Sequence, residues 1–374
     1  MRRLNVIHIC DKFGMRGSTV HGVSRLFAWW FPRFDRERYN VKLYAVKDPD
    51  PASRALEESG IGLTYLHRSA LNPLTLTSFL KVISKEHADV IHLHGWIAAN
   101  FGRFAGRMLG VPTIMHEHGV DPKFPLSQRI ADRLLSPFNH TVIAVSESVR
   151  KFLIANRSVP PAKIRVIYNG APTDDFTPAD AQDVTKAREE LGIANGMHVV
   201  GTVGRLDTQK GITYFLRAAR QVMDILPDVR FVIVGDGPRR EELESEAQDL
   251  GLNSCVRFTG HRSDVSVIQS LMDLQVFPSL WEGVPLTVFE AMAMGRAIVS
   301  TNVDGLAEVL DDGKNALIVA PADSEQLATG MMRLLSDRRL AERLGRNARE
   351  SSKSFDIGRT VENLESLYDE LCAR

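Results

Sequence analysis

Leu274-Gln275-Val276-Phe277-Pro278-Ser279-Leu280-Trp281-Glu282-Gly283-Val284-Pro285-Leu286-Thr287-Val288-Phe289-Glu290-Ala291-Met292-Ala293-Met294-Gly295 is the stretch that decides how this chain folds. The run 274–277 reads as a short buried strand. After a loop the spacing turns helical, with Pro285 suited to the first helical position. A strand that feeds a helix in this way belongs to a parallel sheet covered on both faces. A helix starting there offers free N–H groups to an anion. Glu282 stands just before it and Glu290 about one and a half turns inside it. Carboxylates are poor partners for a phosphate, but they accept from the hydroxyls of a sugar or ribose attached to one. The plainer alternative makes Glu282 a helix-end charge and places Glu290 on a solvated face.

The same alternation extends in both directions. Ahead of this stretch, strands read at 199–203, 230–234 and 256–258, with helices at 211–226 and 239–250; behind it, strands read at 297–300 and 316–319. The first half repeats the pattern with strands at 4–10, 41–46, 90–93, 113–115, 141–145 and 164–167. Its helices include 75–86, 97–109 and one that begins at Val23 after a glycine-containing loop. Around 174–196 the pattern breaks, with Thr177-Pro178-Ala179-Asp180 and Ala194-Asn195-Gly196 flanking a charged helix. The expectation is two doubly wound α/β domains, 1–180 and 195–355, with the ligand in the cleft between them. A closing segment, 356–374, carries Val361, Leu364, Leu367, Tyr368 and Leu371 at amphipathic helical spacing.

Composition limits the function. The 374 residues are 44% hydrophobic and 25% charged, an ordinary globular balance that excludes a disordered chain. Lys+Arg and Asp+Glu each total 46, so the net charge of zero gives no sign of nucleic acid. Residues 1–180 nevertheless hold 24 basic against 16 acidic residues, leaving 22 against 30 for the remainder. Three scattered cysteines without a CxxC pair point to a reducing compartment and to neither a disulfide scaffold nor a thiolate zinc site. No apolar run reaches the roughly 18 residues a membrane span needs. Met1-Arg2-Arg3 and the apolar run after it read as a first strand rather than a signal peptide. The reading is therefore cytoplasmic. The segment 27–39, Phe-Ala-Trp-Trp-Phe-Pro-Arg-Phe-Asp-Arg-Glu-Arg-Tyr, is aromatic and basic. It suits either an anionic bilayer at the inner face of the membrane or a helix whose aromatics fill the core.

A second candidate loop, Gly204-Arg205-Leu206-Asp207-Thr208-Gln209-Lys210-Gly211, also follows a strand and precedes a helix. Arg205 and Lys210 are placed to neutralise a departing diphosphate, or else are ordinary surface cations. His92-Leu93-His94-Gly95 and His116-Glu117-His118-Gly119 close two strands of the first half, and residues two apart on a strand share a face. Two His-x-His pairs invite a zinc reading, but spacing fixes no third ligand.

Together these residues resemble the signature of retaining family-4 glycosyltransferases, which have the GT-B fold. The resemblance rests on Glu282-x7-Glu290 with Pro278-Ser279 before it and Ala291-Met292-Ala293-x-Gly295 after it. It extends through the Gly204 to Gly211 loop, Val234-Gly235-Asp236-Gly237-Pro238, Val166-Ile167-Tyr168-Asn169-Gly170, Val145-Ser146-Glu147 and Glu308-Val309…Asp312-Gly313, nearly the whole chain. It implies transfer of a sugar from a nucleoside diphosphate to an acceptor hydroxyl with retained anomeric configuration. The setting is polysaccharide, lipid-linked oligosaccharide or glycolipid assembly. By the resemblance, Arg205 and Lys210 hold the diphosphate and Glu290 the ribose. Glu282 takes the donor sugar hydroxyls, with Gly204 and the backbone of Gly283, Val284, Pro285, Leu286 and Thr287 around sugar and phosphate. Gly260, His261 and Arg262 lie near the base. His118 faces the donor sugar, while His94 and His116 lie on the acceptor side. The last helix crosses back to the first domain, and no metal or other cofactor is required.

The chain departs from that pattern in two places. Many members carry paired glycines in the first loop, where this chain has His21-Gly22 in a longer loop, leaving Gly22 as the backbone contact. Val303-Asp304-Gly305 stands where Gly-Gly is common. Asp48-Pro49-Asp50 has the form of a metal motif from another glycosyltransferase fold and reads as a turn. A sugar-nucleotide epimerase of the same fold, or a nucleotide-sugar-binding subunit, is the alternative. A zinc hydrolase built on the His pairs is more distant.

Overall fold

The computed structural model describes residues 2–14, 22–120 and 124–373. The chain divides into two compact units, Met1–Gly170 with Ile357–Arg374, and Ala171–Asp356. The division falls just ahead of the 174–196 stretch that breaks the sequence pattern. The charged helix there, Ala181–Glu190, joins the second unit because Ala187, Leu191 and Ile193 pack with Val199, Val203 and Ile268.

The first unit is one parallel sheet of β1 (Leu4–Cys10), β2 (Tyr39–Ala45), β3 (Leu63–Tyr65), β4 (Val90–His94), β5 (Thr113–Glu117), β6 (Thr141–Ala144) and β7 (Ile164–Val166). The strand order is β3-β2-β1-β4-β5-β6-β7. Alternation along β1 and β4 assigns the two faces. Ile7, Ile9, Ile91 and Leu93 pack with Phe79, Ile83, Ala98 and Ala105 of the helices Thr75–Lys85 and Trp96–Leu109. Their even-numbered neighbours, His8, His92 and His94, occupy the opposite face, and the register sets His8 beside His92 and His94 beside His116. Asp48-Pro49-Asp50 is a helix start rather than a free turn. Asp50 caps Pro51–Glu58 in a reciprocal pair with Ser53, and its Oδ2 accepts from the N–H groups of Phe13 and Gly14 at 3.0 Å each. This helix and β3 have no clear apolar period in the sequence.

The aromatic segment 27–39 belongs to the core. Phe27, Trp30, Phe34 and Tyr39 are all buried, which removes them as a bilayer contact. They cover the histidine face of the sheet together with the last helix, Ile357–Cys372. That helix is fixed by Thr360 Oγ1, which donates to the carbonyls of Tyr168 and Asn169 at 2.9 and 3.0 Å, and by Tyr39 Oη, which donates to Asp369 at 2.9 Å.

The second unit repeats the plan with β8 (His198–Val203), β9 (Val229–Val234), β10 (Val256–Gly260), β11 (Leu274–Phe277), β12 (Ala297–Thr301) and β13 (Leu317–Val319), in the order β10-β9-β8-β11-β12-β13. All its strand pairs are parallel. In each unit the strand order reverses once, between β1 and β4 and between β8 and β11. Doubly wound sheets bind ligands just beyond the strand ends at such a reversal.

Candidate functional site

The loops that follow β8 and β11 flank the reversal of the second sheet, and they carry the candidate donor residues. Asp207 caps the short turn Thr208–Lys210, and Arg205 forms an ion pair with Asp207. Gly211 has φ +62°, and a Cβ there would lie 2.0 Å from the carbonyl oxygen of Pro278, so only glycine lets the two loops touch. Their contact is tightened where Leu280 N donates to Gln209 O at 2.8 Å.

Glu282 is the centre of this arrangement. Lys210 Nζ pairs with its Oε1, Ser279 Oγ donates to Oε1 at 2.9 Å, and Gln209 Nε2 donates to Oε2 at 3.0 Å. Its own N–H donates to Asp304 Oδ2 at 3.3 Å. Asp304, at the position that departs from the Gly-Gly pattern, therefore holds the backbone of the carboxylate residue. Beside it Gly305 admits no side chain, because a Cβ would sit 1.3 Å from Gly283 O. The helix after this loop is Leu286–Ala293, with Pro285 as the extended N-cap rather than the first helical residue, and no side chain caps it. An uncapped helix start leaves N–H groups for an anion. Gly283, Val284 and Leu286 are buried, and Thr287 is half-buried. Glu290 is fully buried inside this helix, so the solvated-face reading does not hold.

Gly204 N donates to Val234 O, Leu206 N to Asp236 O and Gly235 N to Gly260 O, each at 2.9 Å, which ties the ends of β8, β9 and β10 together. Gly260 ends β10 with φ +69°, and His261 is exposed. Arg262 is engaged by carboxylates. Its guanidinium is forked onto Asp264 at 2.6 and 2.7 Å and pairs with Glu190, hydrogen bonds that raise it further above its usual range.

In the first unit, β4 and β5 deliver His94, His116 and His118 to the strand ends beside the reversal, and β1 adds His8, which the motif spacing does not reveal. His8, His92, His94 and His116 are all buried. Burial pushes His8 down to about 3, and burial followed by mutual repulsion holds His92, His94 and His116 well below the usual range, so these rings are neutral. His8, His92 and His94, and likewise His94, His116 and His118, each bring one ring nitrogen within 4.8 Å of the others. Neutral nitrogens at that spacing fit a transition ion such as zinc, so the fold supplies the third ligand that spacing alone does not. The same nitrogens are also paired with each other at 3.0–3.1 Å. Glu117 lies between His116 and His118, and burial raises its carboxyl. It pairs with Arg157, whose Nε donates to Asp132 at 2.6 Å, while Arg103 donates to the same Asp132 at 2.8 Å. This buried network comes from four separate elements and has no motif. Gly22 opens the helix Gly22–Trp30, where a Cβ would meet nothing within 4 Å. The rest of that loop, 15–21 with His21, lies outside the described residues.

Both halves match known families. Residues 20–175 fit the family model described as Glycosyltransferase Family 4, and residues 183–351 fit Glycosyl transferases group 1. The chain is 28% identical over 367 residues to UDP-Gal:alpha-D-GlcNAc-diphosphoundecaprenol alpha-1,3-galactosyltransferase of Escherichia coli, covering 93% of this chain and 94% of that one. It is 29% identical over 303 residues to D-inositol 3-phosphate glycosyltransferase of Corynebacterium jeikeium, covering 76% and 72%. Its fold superposes on HepE of Anabaena, solved with UDP and glucose, with a TM-score of 0.85 at 24% identity over 98% of this chain and all of that one. Sucrose-phosphate synthase of Thermosynechococcus elongatus gives 0.78 at 21% identity over 99% of this chain and all of that one. The chain belongs to the group 1 and family 4 glycosyltransferases and has the GT-B fold of two Rossmann-like domains. It is an enzyme that transfers a sugar from a nucleotide-sugar donor.

Proposed function

We propose that the chain is a retaining glycosyltransferase whose second unit holds a nucleoside-diphosphate sugar and whose first unit receives a lipid-linked or polysaccharide acceptor. The observation that carries this reading is the Lys210–Glu282 pair beside the uncapped start of Leu286–Ala293. A diphosphate at that helix start recruits the Lys210 ammonium and the Arg205 guanidinium. Sugar hydroxyls then donate to Glu282, which Ser279, Gln209 and the Asp304 contact keep in place. As the glycosidic bond to phosphate breaks, negative charge grows on the leaving diphosphate, and prepositioned cations lower that barrier without reorganising. In a front-face displacement the leaving phosphate oxygen takes the acceptor proton, so no protein carboxylate has to serve as the nucleophile. Glu290 is assigned to the ribose, and His118 to the sugar. The base is read mainly by the backbone around Gly260 and His261, since Arg262 is held by carboxylates.

The names of the relatives make a UDP-sugar the first donor to try and a polyprenyl diphosphate-linked sugar the first acceptor. The test is release of nucleoside diphosphate across a donor panel, with and without acceptor. Acceptor-dependent release from one donor supports transfer. Conversion of the donor alone to its epimer contradicts it.

A second observation supports contact with an anionic bilayer, at a different place from the aromatic segment. Helix Leu126–Leu135 exposes Leu126, Ile130 and Leu134 at 72%, 56% and 68%, one turn apart on one face. Its exposed charged residues are Arg129 and Arg133, and its acidic Asp132 is buried. An apolar stripe with only cations beside it suits a negatively charged membrane surface.

A further inference from the structure

We propose that Arg157, the last residue of helix Glu147–Arg157, is a positioning residue that fixes the backbone of His118 through the carboxylate of Glu117. The inference rests on the reading that His118 faces the reacting sugar. β5 ends at Glu117, whose ladder partner is Ala144, so His118 lies one residue beyond the last pair of that ladder. Its ring is placed by other histidines. Nε2 lies 3.0 Å from His94 Nδ1, and the ring stacks on His116 with centroids 4.2 Å apart at 15°. The backbone under that ring is held by Glu117. Successive residues of a strand point to opposite faces, so Glu117 turns away from the histidines toward the side of Met115, where Val149 and Leu153 of helix Glu147–Arg157 pack. There its carboxylate pairs with Arg157 and also accepts from the N–H of Gly119. One carboxylate therefore ties together the residues on either side of His118.

Arg157 is held in turn by Asp132 and Phe124. Its Nε and Nη2 donate to the two oxygens of Asp132 at 2.6 and 3.1 Å, and Nη1 is the nitrogen paired with Glu117. Asp132 belongs to helix Leu126–Leu135 and also accepts from Arg103 of helix Trp96–Leu109 at 2.8 Å. The guanidinium carbon of Arg157 lies 5.4 Å from the centroid of the Phe124 ring, which packs edge-on against Phe152 and Trp96. Glu117 precedes His118 in the chain and Phe124 follows it, so a single planar group engages both sides of the segment that carries the histidine. The Arg157 side chain is only 2% exposed, and Asp132 and Arg103 are wholly buried. Charges with so little exposure are a costly way to join helices to a strand, since well-packed apolar side chains often do so with equal or better stability. A guanidinium fork adds direction instead. Its N–H groups at fixed angles set the Glu117 carboxylate relative to Asp132, which the point charge of a flexible ammonium does not.

The test is a double-mutant cycle on the full chain with Arg157→Lys and His118→Ala, following acceptor-dependent release of nucleoside diphosphate. Arg157→Lys keeps the charge and loses the fork. Its turnover is expected to fall about 10–100-fold at unchanged donor KM, the cost of displacing a site group by up to about 1 Å. In the His118→Ala background the same substitution is expected to cost less than about twofold, because the group it positions is gone. Where His118→Ala is itself impaired, an equal loss in both backgrounds overturns the proposal, as does wild-type turnover in Arg157→Lys. The second readout is the ring ¹H–¹⁵N correlations of the chain labelled with ¹⁵N-histidine. Arg157→Lys is expected to displace the His118 signals while those of His198, in the second unit, stay. Unmoved His118 signals overturn the proposal. Where Arg157→Lys does not fold, Glu117→Gln takes its place in both measurements with the same expectations. Unchanged turnover in His118→Ala defeats the reading that His118 faces the sugar, and the His118 signals then decide the positioning by themselves.

Discussion

Lys210 Nζ and Glu282 Oε1, 72 residues apart in sequence, form an ion pair in which the lysine side chain is 19% exposed and the glutamate 5%. A pair so little exposed survives because Ser279 and Gln209 also donate to the carboxylate. Lys210→Ala removes the cation while leaving those donors on Glu282. Its turnover is expected to fall about 10²–10³-fold, the range for one lost transition-state donor. Steady-state kinetics with circular dichroism as the fold control checks this, and near-normal turnover contradicts the assignment.

Gly305→Ala places a methyl carbon 1.3 Å from Gly283 O, so the loop bearing Glu282 has to move. Activity and donor binding should both be lost, while the first unit keeps its own unfolding transition. Calorimetry of the variant distinguishes this local damage from global unfolding.

Asp132 accepts from both Arg103 and Arg157 with no exposure of its own or of Arg103. Asp132→Ala leaves the buried Arg103 without a carboxylate and Arg157 with Glu117 alone, and is expected to destabilise the first unit by about 3–5 kcal/mol. Urea unfolding followed by a probe in that unit provides the measurement.

Acid should weaken the first unit through its histidines. His8 titrates at about 3 in the fold against an ordinary 6.5, and His92, His94 and His116 are lowered in the same direction. Below pH 6.5 the unfolded chain takes up protons that these folded rings refuse, so stability falls as pH drops from about 6.5 toward 3. Each ring contributes a slope of about 1.4 kcal/mol per pH unit. The raised carboxyls of Asp11 and Glu117 act oppositely, nearer the ordinary carboxylate range. Urea midpoints at pH 7 and pH 5.5 should therefore differ, and equal midpoints refute the neutral-ring account.

Substituting Leu126, Ile130 and Leu134 by serine should abolish co-sedimentation with phosphatidylglycerol vesicles and leave transfer to a water-soluble acceptor unchanged. Binding to neutral and anionic vesicles alike would remove the electrostatic part of the membrane reading.

The alternation of apolar runs with helical spacing made the strands of both sheets legible except β3, since parallel strands buried on both faces leave continuous apolar runs. The donor loops were legible because glycine, proline and paired carboxylates recur there at fixed offsets. Tertiary relationships were not. Whether Trp30 faced lipid or packed on His116 depended on what covered the sheet, and an aromatic-basic segment has the same composition in either case. His8 joins the other histidines only through the β1–β4 register, and Tyr368 meets them from a helix 276 residues beyond His92. The Arg103–Asp132–Arg157 network left no trace, because ordinary helical residues become partners only after three helices pack.

The most direct test of the account is acceptor-dependent release of nucleoside diphosphate from a donor panel, run side by side with wild type and Lys210→Ala, with product anomeric configuration read by proton NMR. The account expects release from one donor, retained configuration, and a loss of about 10²–10³-fold in the variant. Release that Lys210→Ala leaves intact, or an inverted product, would contradict it.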